Sequence, residues 1–336
     1  MSAFRPFEAQ LAHYLKRPHE GPPDGPVPMA ADWRAVDFAD EGAQRPDLSA
    51  AQVAALSDAV DRAMAAGRPM TEVSAESLPV PELAGLAADL RARLEDGIGF
   101  AVLRGLPVAD WGEAKSAYAF WTLGHQIGLP GGQNPQGDLL GHVHDLGEMR
   151  DNPLVRRYRT AGNIDFHCDA ADVVGLLCLR TAKTGGQSRI ASSVAIFNAL
   201  MAEDPALARR LFEPVPLDRR GEEQPGQPAH IPVQPCAHAQ GRLRTFYHSE
   251  YFRSAARHFD PPGLPSDLQA VLDRYDALAS DPRFRLDMWL QPGDMQFLSN
   301  HLIVHARTAY EDWPEPDRRR HLLRLWLSLP EAEGTS

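Results

Sequence analysis

The stretch GNIDFHCDAADVVGLLCLR (162–180) sets His167 and Asp169 two residues apart in a run whose apolar members, Ile164, Phe166 and Cys168, alternate with polar ones. Alternation of that period belongs to a β-strand, in which residues i and i+2 project from one face. An imidazole nitrogen and a carboxylate oxygen aimed at one point supply two ligands of a 2-His-1-carboxylate triad. That triad leaves positions open on non-haem Fe(II). Asn163 and Asp165 share the polar row. An isolated His-x-Asp is more often a wet strand face than a site, so a second histidine is the decisive requirement.

The segment QPGDMQFLSNHLIVHARTAY (291–310) offers His301 and His305, four residues apart. The choice between them turns on whether the run is strand throughout or turns after Asn300. Beyond it, RRRHLLRLWL (318–327) places Arg320 and Arg324 on one face of a predicted strand. A guanidinium fork matches a carboxylate bidentately, which a lysine does not. Two rival clusters exist. RTFYHSEYF (244–252) holds His248 and Glu250 on a strand-like pattern, with Tyr247 and Tyr251 as pocket or core aromatics. GHVHD (141–145) holds His142, His144 and Asp145.

The order His-x-Asp, then TGGQS (184–188), then a strand ending in His with Arg further on, resembles the Fe(II)/2-oxoglutarate-dependent dioxygenases of the TauD/TfdA type, over about residues 95–329. The resemblance implies His167, Asp169 and His305 as iron ligands. It implies Ser188 and Arg320 at the distal carboxylate of 2-oxoglutarate, and Arg324 near its metal-bound end and the substrate. Asn163, His142, Tyr247, Tyr251 and His301 are substrate-pocket candidates. The implied reaction is hydroxylation of an unactivated C–H bond of a small molecule with O2, releasing succinate and CO2; Arg324 hints at an anionic substrate group. Ser188 departs from the usual Thr, and the interval from His305 to Arg320 is long. Because Asp169 is present, halogenation is disfavoured. The alternative from another class is a jelly-roll metal- or ligand-binding protein without turnover.

Positioning these residues requires many short strands. Apolar runs bounded by turn residues fall at 139–145, 162–169, 173–180, 187–193, 243–252, 284–290, 294–305 and 320–329. Helical patterns fall at DLSAAQVAALSDAVDRAMAAG, with Asp47 or Ser49 as N-cap, at PELAGLAADLRARLEDG and WGEAKSAYAFWTLGHQIG, and near 194–212 and 265–279. The expected class is mainly β with flanking helices (α+β), and the resemblance makes its core a double-stranded β-helix, or jelly roll. Residues 1–80 read as a lead segment and helix packed on an oxygenase domain of 81–330.

With 336 residues, 43% hydrophobic and 24% charged, the chain can bury a large core. A formal net charge of −11 and no dense basic run argue against nucleic acid as partner. No stretch has the length of a membrane span, and the N-terminus has no signal-like apolar region. Three cysteines without CxxC spacing suggest a reducing compartment. The expectation is a cytoplasmic enzyme with a small-molecule substrate, compatible with a homo-oligomer.

Overall fold

Apolar runs such as VVGLLCLR and HLLRLWLS, buried along nearly their whole length, demand cover on both faces, and the chain provides it with two sheets and two groups of helices. The computed structural model describes residues 3–38, 46–147, 160–223 and 225–330, so residues 39–45 of the expected lead segment lie outside it. The helices are α1 (Phe7–Leu15), α2 (Ala50–Ala65), α3 (Ala84–Glu95), α4 (Val108–Ile127), α5 (Ser193–Glu203), α6 (Pro205–Arg209), α7 (Ser249–Ser254) and α8 (Ser266–Ser280). The first eight strands are β1 (Phe100–Leu103), β2 (Leu129–Pro130), β3 (Gly141–Val143), β4 (Ile164–His167), β5 (Val173–Arg180), β6 (Thr184–Gly185), β7 (Ser188–Ser192) and β8 (Val215–Asp218). The rest are β9 (His230–Val233), β10 (Cys236–Ala239), β11 (Arg242–Thr245), β12 (Arg285–Met288), β13 (Met295–Ser299), β14 (Ile303–Arg307), β15 (Tyr310–Glu311) and β16 (His321–Ser328).

The larger sheet runs β1-β13-β5-β16-β2, with β3 also on β16; the smaller runs β12-β7-β14-β4. Every pairing in both is antiparallel. On the outer face of the larger sheet, Leu323, Leu325 and Leu327 share one apolar cluster with Trp121 and Phe120 of α4 and Leu56 and Val60 of α2. Gly124 lets α4 approach, since a Cβ there would lie 2.7 Å from the Leu325 side chain. On the smaller sheet, Ile190 and Ile303 join Phe197 of α5 and Val271 and Tyr275 of α8. Ser49 is the N-cap of α2 and forms a capping box with Gln52. Among the described residues no helix is long and apolar enough to cross a membrane.

Three expectations change. The run 294–305 divides at Asn300–His301 into β13 and β14, which lie in different sheets. The run 243–252 stays extended only to Thr245 and then turns helical as α7. The lead segment contains a helix, α1, whose apolar period is short and interrupted by His13 and Gln10, both paired to the core.

That docking is polar. Asp172 accepts from His13 Nε2 at 2.8 Å, His301 Nε2 at 2.9 Å and the Leu329 amide at 2.8 Å. Tyr14 stacks on His301 and donates to the carbonyls of Asn300 and Thr245. Burial alone would push the Asp172 carboxyl up, but the bonds from His13 and His301 outweigh it and hold it well below the usual carboxylate range. A carboxylate depressed in the folded state stabilises fully above its unfolded value of about 4 and loses that contribution as pH falls below it. Asp172→Asn should therefore cost about 3 kcal/mol at neutral pH. In urea titrations it should also flatten the loss of stability that the wild type shows as pH falls from about 5 toward the depressed folded value; an unchanged slope would remove Asp172 as its cause.

Candidate metal centre

His167 ends β4 and pairs across the strands with His305 of β14; Asp169 follows two residues later where the chain leaves the sheet. The ligand atoms of the three side chains lie within 4.8 Å of one another. The Nε2 atoms of His167 and His305 stand 3.9 Å from the two carboxylate oxygens of Asp169, too far for hydrogen bonds. His167 Nδ1 lies 2.9 Å from the Asp165 carbonyl, a bond only an N–H can make, so the lone pair sits on Nε2 and faces Asp169. Burial, with the His167 ring beside it, pushes the His305 imidazole down to about 3, leaving it neutral. Asp169 is also buried, yet the Arg324 guanidinium and the two imidazoles hold its carboxyl well below the usual range. Two imidazole Nε2 atoms facing one ionised carboxylate, with no hydrogen bond joining them, fit a divalent metal.

Asn300 braces this arrangement from the turn between β13 and β14. Its Oδ1 accepts from the Asp169 amide at 3.0 Å and its Nδ2 donates to the Ala171 carbonyl at 2.9 Å. Arg324 reaches Asp169 from the opposite sheet at 3.4 Å, and its Nε donates to Gln133 Oε1 at 2.8 Å.

Two cavities adjoin the triad and share Ile164, His167, Asp169 and Arg324 in their linings. The smaller, about 60 Å³, lies between the sheets and is lined by Ser188, Arg307, Arg320 and apolar side chains including Val143, Leu176 and Leu322. Ser188 Oγ donates to Gln296 Oε1 at 2.9 Å. Arg307 and Arg320 are both buried and lie 4.7 and 5.1 Å from the ring of Tyr310. Among the described residues neither has a carboxylate at ion-pair distance, although Arg307 donates to the carbonyls of Thr160 and Gly162. Burial, compounded by the like charge of Arg320, pushes Arg307 down to about 10. Two buried cations with no described carboxylate at ion-pair distance fit an anionic, carboxylate-bearing occupant.

The TGGQS turn makes room for this. Gly185 and Gly186 have φ of 74° and 73°, and a Cβ on Gly186 would stand 3.0 Å from Arg320 Nε.

The larger cavity, about 180 Å³, is lined by Asp165, His248, Glu250, Tyr251 and Trp326, with Phe7 and Leu11 of α1. Here the pocket candidates separate. Tyr251 lines the cavity, stacked on His248 with ring centroids 3.7 Å apart. Tyr247 does not: its ring is fully buried against Tyr275 and its hydroxyl bonds Asp276, because α7 begins just beyond it and turns the chain. Asn163 lines neither cavity, and its amide donates to Asp165 at 2.9 Å. His301 points away, bound to Asp172. His142 lies opposite Leu323, on the outer face of the larger sheet, so the register of β3 carries it away from both cavities. Arg307, two residues after His305 on the same strand, helps to mark that histidine in the sequence but carries no site role there; the structure puts it in the lining of the smaller cavity.

Residues 66–326 match the family described as "Taurine catabolism dioxygenase TauD, TfdA family". The chain is 32% identical over 310 residues to FR-33289 synthase of Streptomyces rubellomurinus (strain ATCC 31215), covering 90% of this chain and 91% of that protein. Its fold is similar to that of an asparagine oxygenase solved with Fe(II), 3-hydroxyasparagine and succinate (TM-score 0.68, 20% identity, 85% of this chain and 93% of that one). It is also similar to the non-heme iron oxygenase OrfP solved with Fe and alpha-ketoglutaric acid (TM-score 0.62, 17% identity, 84% and 94%).

Asn300→Ala removes both braces of the Asp169 loop. Metal affinity, measured by chelator competition, should fall about tenfold while the far-UV spectrum is kept. Undiminished affinity would show that the loop holds Asp169 without it.

Proposed function

The chain belongs to the TauD/TfdA family and is an Fe(II)- and 2-oxoglutarate-dependent dioxygenase, and from that premise we propose that His167, Asp169 and His305 hold its iron. The observation that carries the assignment is the unbonded convergence of these three side chains beside a cavity whose two buried arginines have no described carboxylate at ion-pair distance. In this reading 2-oxoglutarate occupies the smaller cavity. Arg320 and Ser188 bind its distal carboxylate, Arg307 adds charge at the same end, and Arg324 lies toward the metal. The two antiparallel sheets enclosing it are read as the double-stranded β-helix, or jelly roll. Residues 81–330 form the oxygenase domain, with residues 1–80 packed on it, in the reducing cytoplasm that three unpaired cysteines suit.

Iron with 2-oxoglutarate supplies the O2-derived oxidant that hydroxylates a C–H bond, with succinate and CO2 as co-products. The protein's residues do the rest. Asp165 fixes the tautomer of His167 through its carbonyl. Arg324 keeps Asp169 ionised and ties it to the opposite sheet. Leu176, Leu290 and Leu322 exclude water from the cosubstrate cavity, so the guanidinium–carboxylate contacts act at low dielectric. The substrate sits in the larger cavity, on the other side of the triad, under His248 and Tyr251. A volume of about 180 Å³ lined by carboxylates as well as Arg324 suits a small polar molecule of amino-acid size with an anionic group toward Arg324.

His167→Ala and Asp169→Ala should each lose tightly bound Fe(II) and succinate formation with the fold kept; iron retained in both would refute the ligand set. Arg320→Met should raise the 2-oxoglutarate KM by about 10- to 100-fold, the worth of a charge-assisted bond, with a smaller effect on kcat. Succinate release screened against amino acids and small organic acids would identify the substrate; stimulation by none of them would overturn the substrate class.

A further inference from the structure

We propose that Glu113, His142 and His321 form a second divalent-metal site, of the zinc type, on the outer face of the larger sheet. Among the described residues, one group of three histidine or carboxylate side chains besides the triad brings its ligand atoms within 4.8 Å, and it is this one. Each member comes from a different element: Glu113 from α4, His142 from β3 and His321 from the start of β16. His142 Nδ1 and His321 Nε2 stand 2.8 Å apart, Glu113 Oε2 lies 3.4 Å from His321 Nδ1, and Glu113 Oε1 lies 4.0 Å from His142 Nδ1. The ring of His144 lies beside them, with its centroid 5.2 Å from that of His321. Two imidazoles and a carboxylate are a borderline donor set that zinc accepts, with a position left for water.

The competing occupant is also visible. Arg180 Nη2 donates to His321 Nδ1 at 3.0 Å and Nη1 lies 3.9 Å from Glu113. That contact leaves the proton on His321 Nε2, shared with His142. A bound dication displaces this proton and repels the guanidinium, whose side chain is 36% exposed and can swing into solvent.

Occupancy would act on the fold at a defined place. Strand β3 has three residues and, among the described residues, pairs only with β16. Val143, next to His142, points the opposite way and lines the smaller cavity. A metal joining His142 to β16 and α4 would clamp β3 and fix that wall.

The test is equilibrium dialysis of the full chain against Zn2+ alone, with bound metal counted by mass spectrometry. The wild type should bind two equivalents, and the His167→Ala/His305→Ala variant should keep one. Adding His142→Asn, an exposed position outside the core, should abolish that one. In the same double-variant background Glu113→Gln should weaken it about tenfold and Arg180→Gln should tighten it about tenfold, the scale of one nearby charge. No zinc on the double variant, or zinc unaffected by both His142→Asn and Glu113→Gln, would overturn the site. Two equivalents surviving in the double variant, with one removed by His142→Asn, would support this site and count against the triad.

Discussion

The carboxylate of Asp169 is the point on which the rest of the arrangement depends. It is a buried anion, and an anion without compensation is costly in an apolar interior. Arg324 from the larger sheet, His167 and His305 from the smaller, and the Asn300 turn all converge on it or on its amide. One charge therefore joins the two sheets, with Arg324 as its described counter-ion. The same contacts that would hold a metal keep the sheets in register with each other.

The positive charge between the sheets follows the complementary logic. Arg307 and Arg320 flank the ring of Tyr310 and face an apolar cavity with no described carboxylate at ion-pair distance. Such a pair is tolerable when an anion visits it, and the backbone has been shaped to bring it there. Gly186 lacks the side chain that would crowd Arg320, and the Asp312 carboxylate accepts from the Arg320 amide at 2.7 Å. Negative charge at Asp169 and positive charge at Arg307 and Arg320 polarise one small volume, with Arg324 contacting Asp169.

Much of the machinery was legible in the chain because strand periodicity is local. The His-x-Asp pair, the apolar runs of β5 and β16 and the arginines at 320 and 324 follow from a two-residue repeat that needs no knowledge of neighbours. The errors cluster where the repeat stops. Tyr247 and Tyr251 look equivalent on paper, but α7 begins between them and sends one ring into the core. His142 carries the right chemistry and the wrong face, because the register of a three-residue edge strand is set by its partner and not by its own sequence. Arg307 serves in the sequence only to mark His305, and its place beside Arg320 appears only when the strands pair.

By itself the sequence determined the residue types, the two-residue spacing that aims His167 and Asp169 together, and the family to which the chain belongs. Tertiary structure decided which histidine joined them. His301 and His305 are four residues apart on paper, yet the turn at Asn300 gives the first to Asp172 under α1 and the second to the strand beside His167. It also decided which polar groups share a cavity, since Ser188 and Arg307 arrive from two strands of the smaller sheet and Arg320 from the turn that leads into β16 of the larger. Such convergence depends on long-range pairing, and no local pattern encodes it.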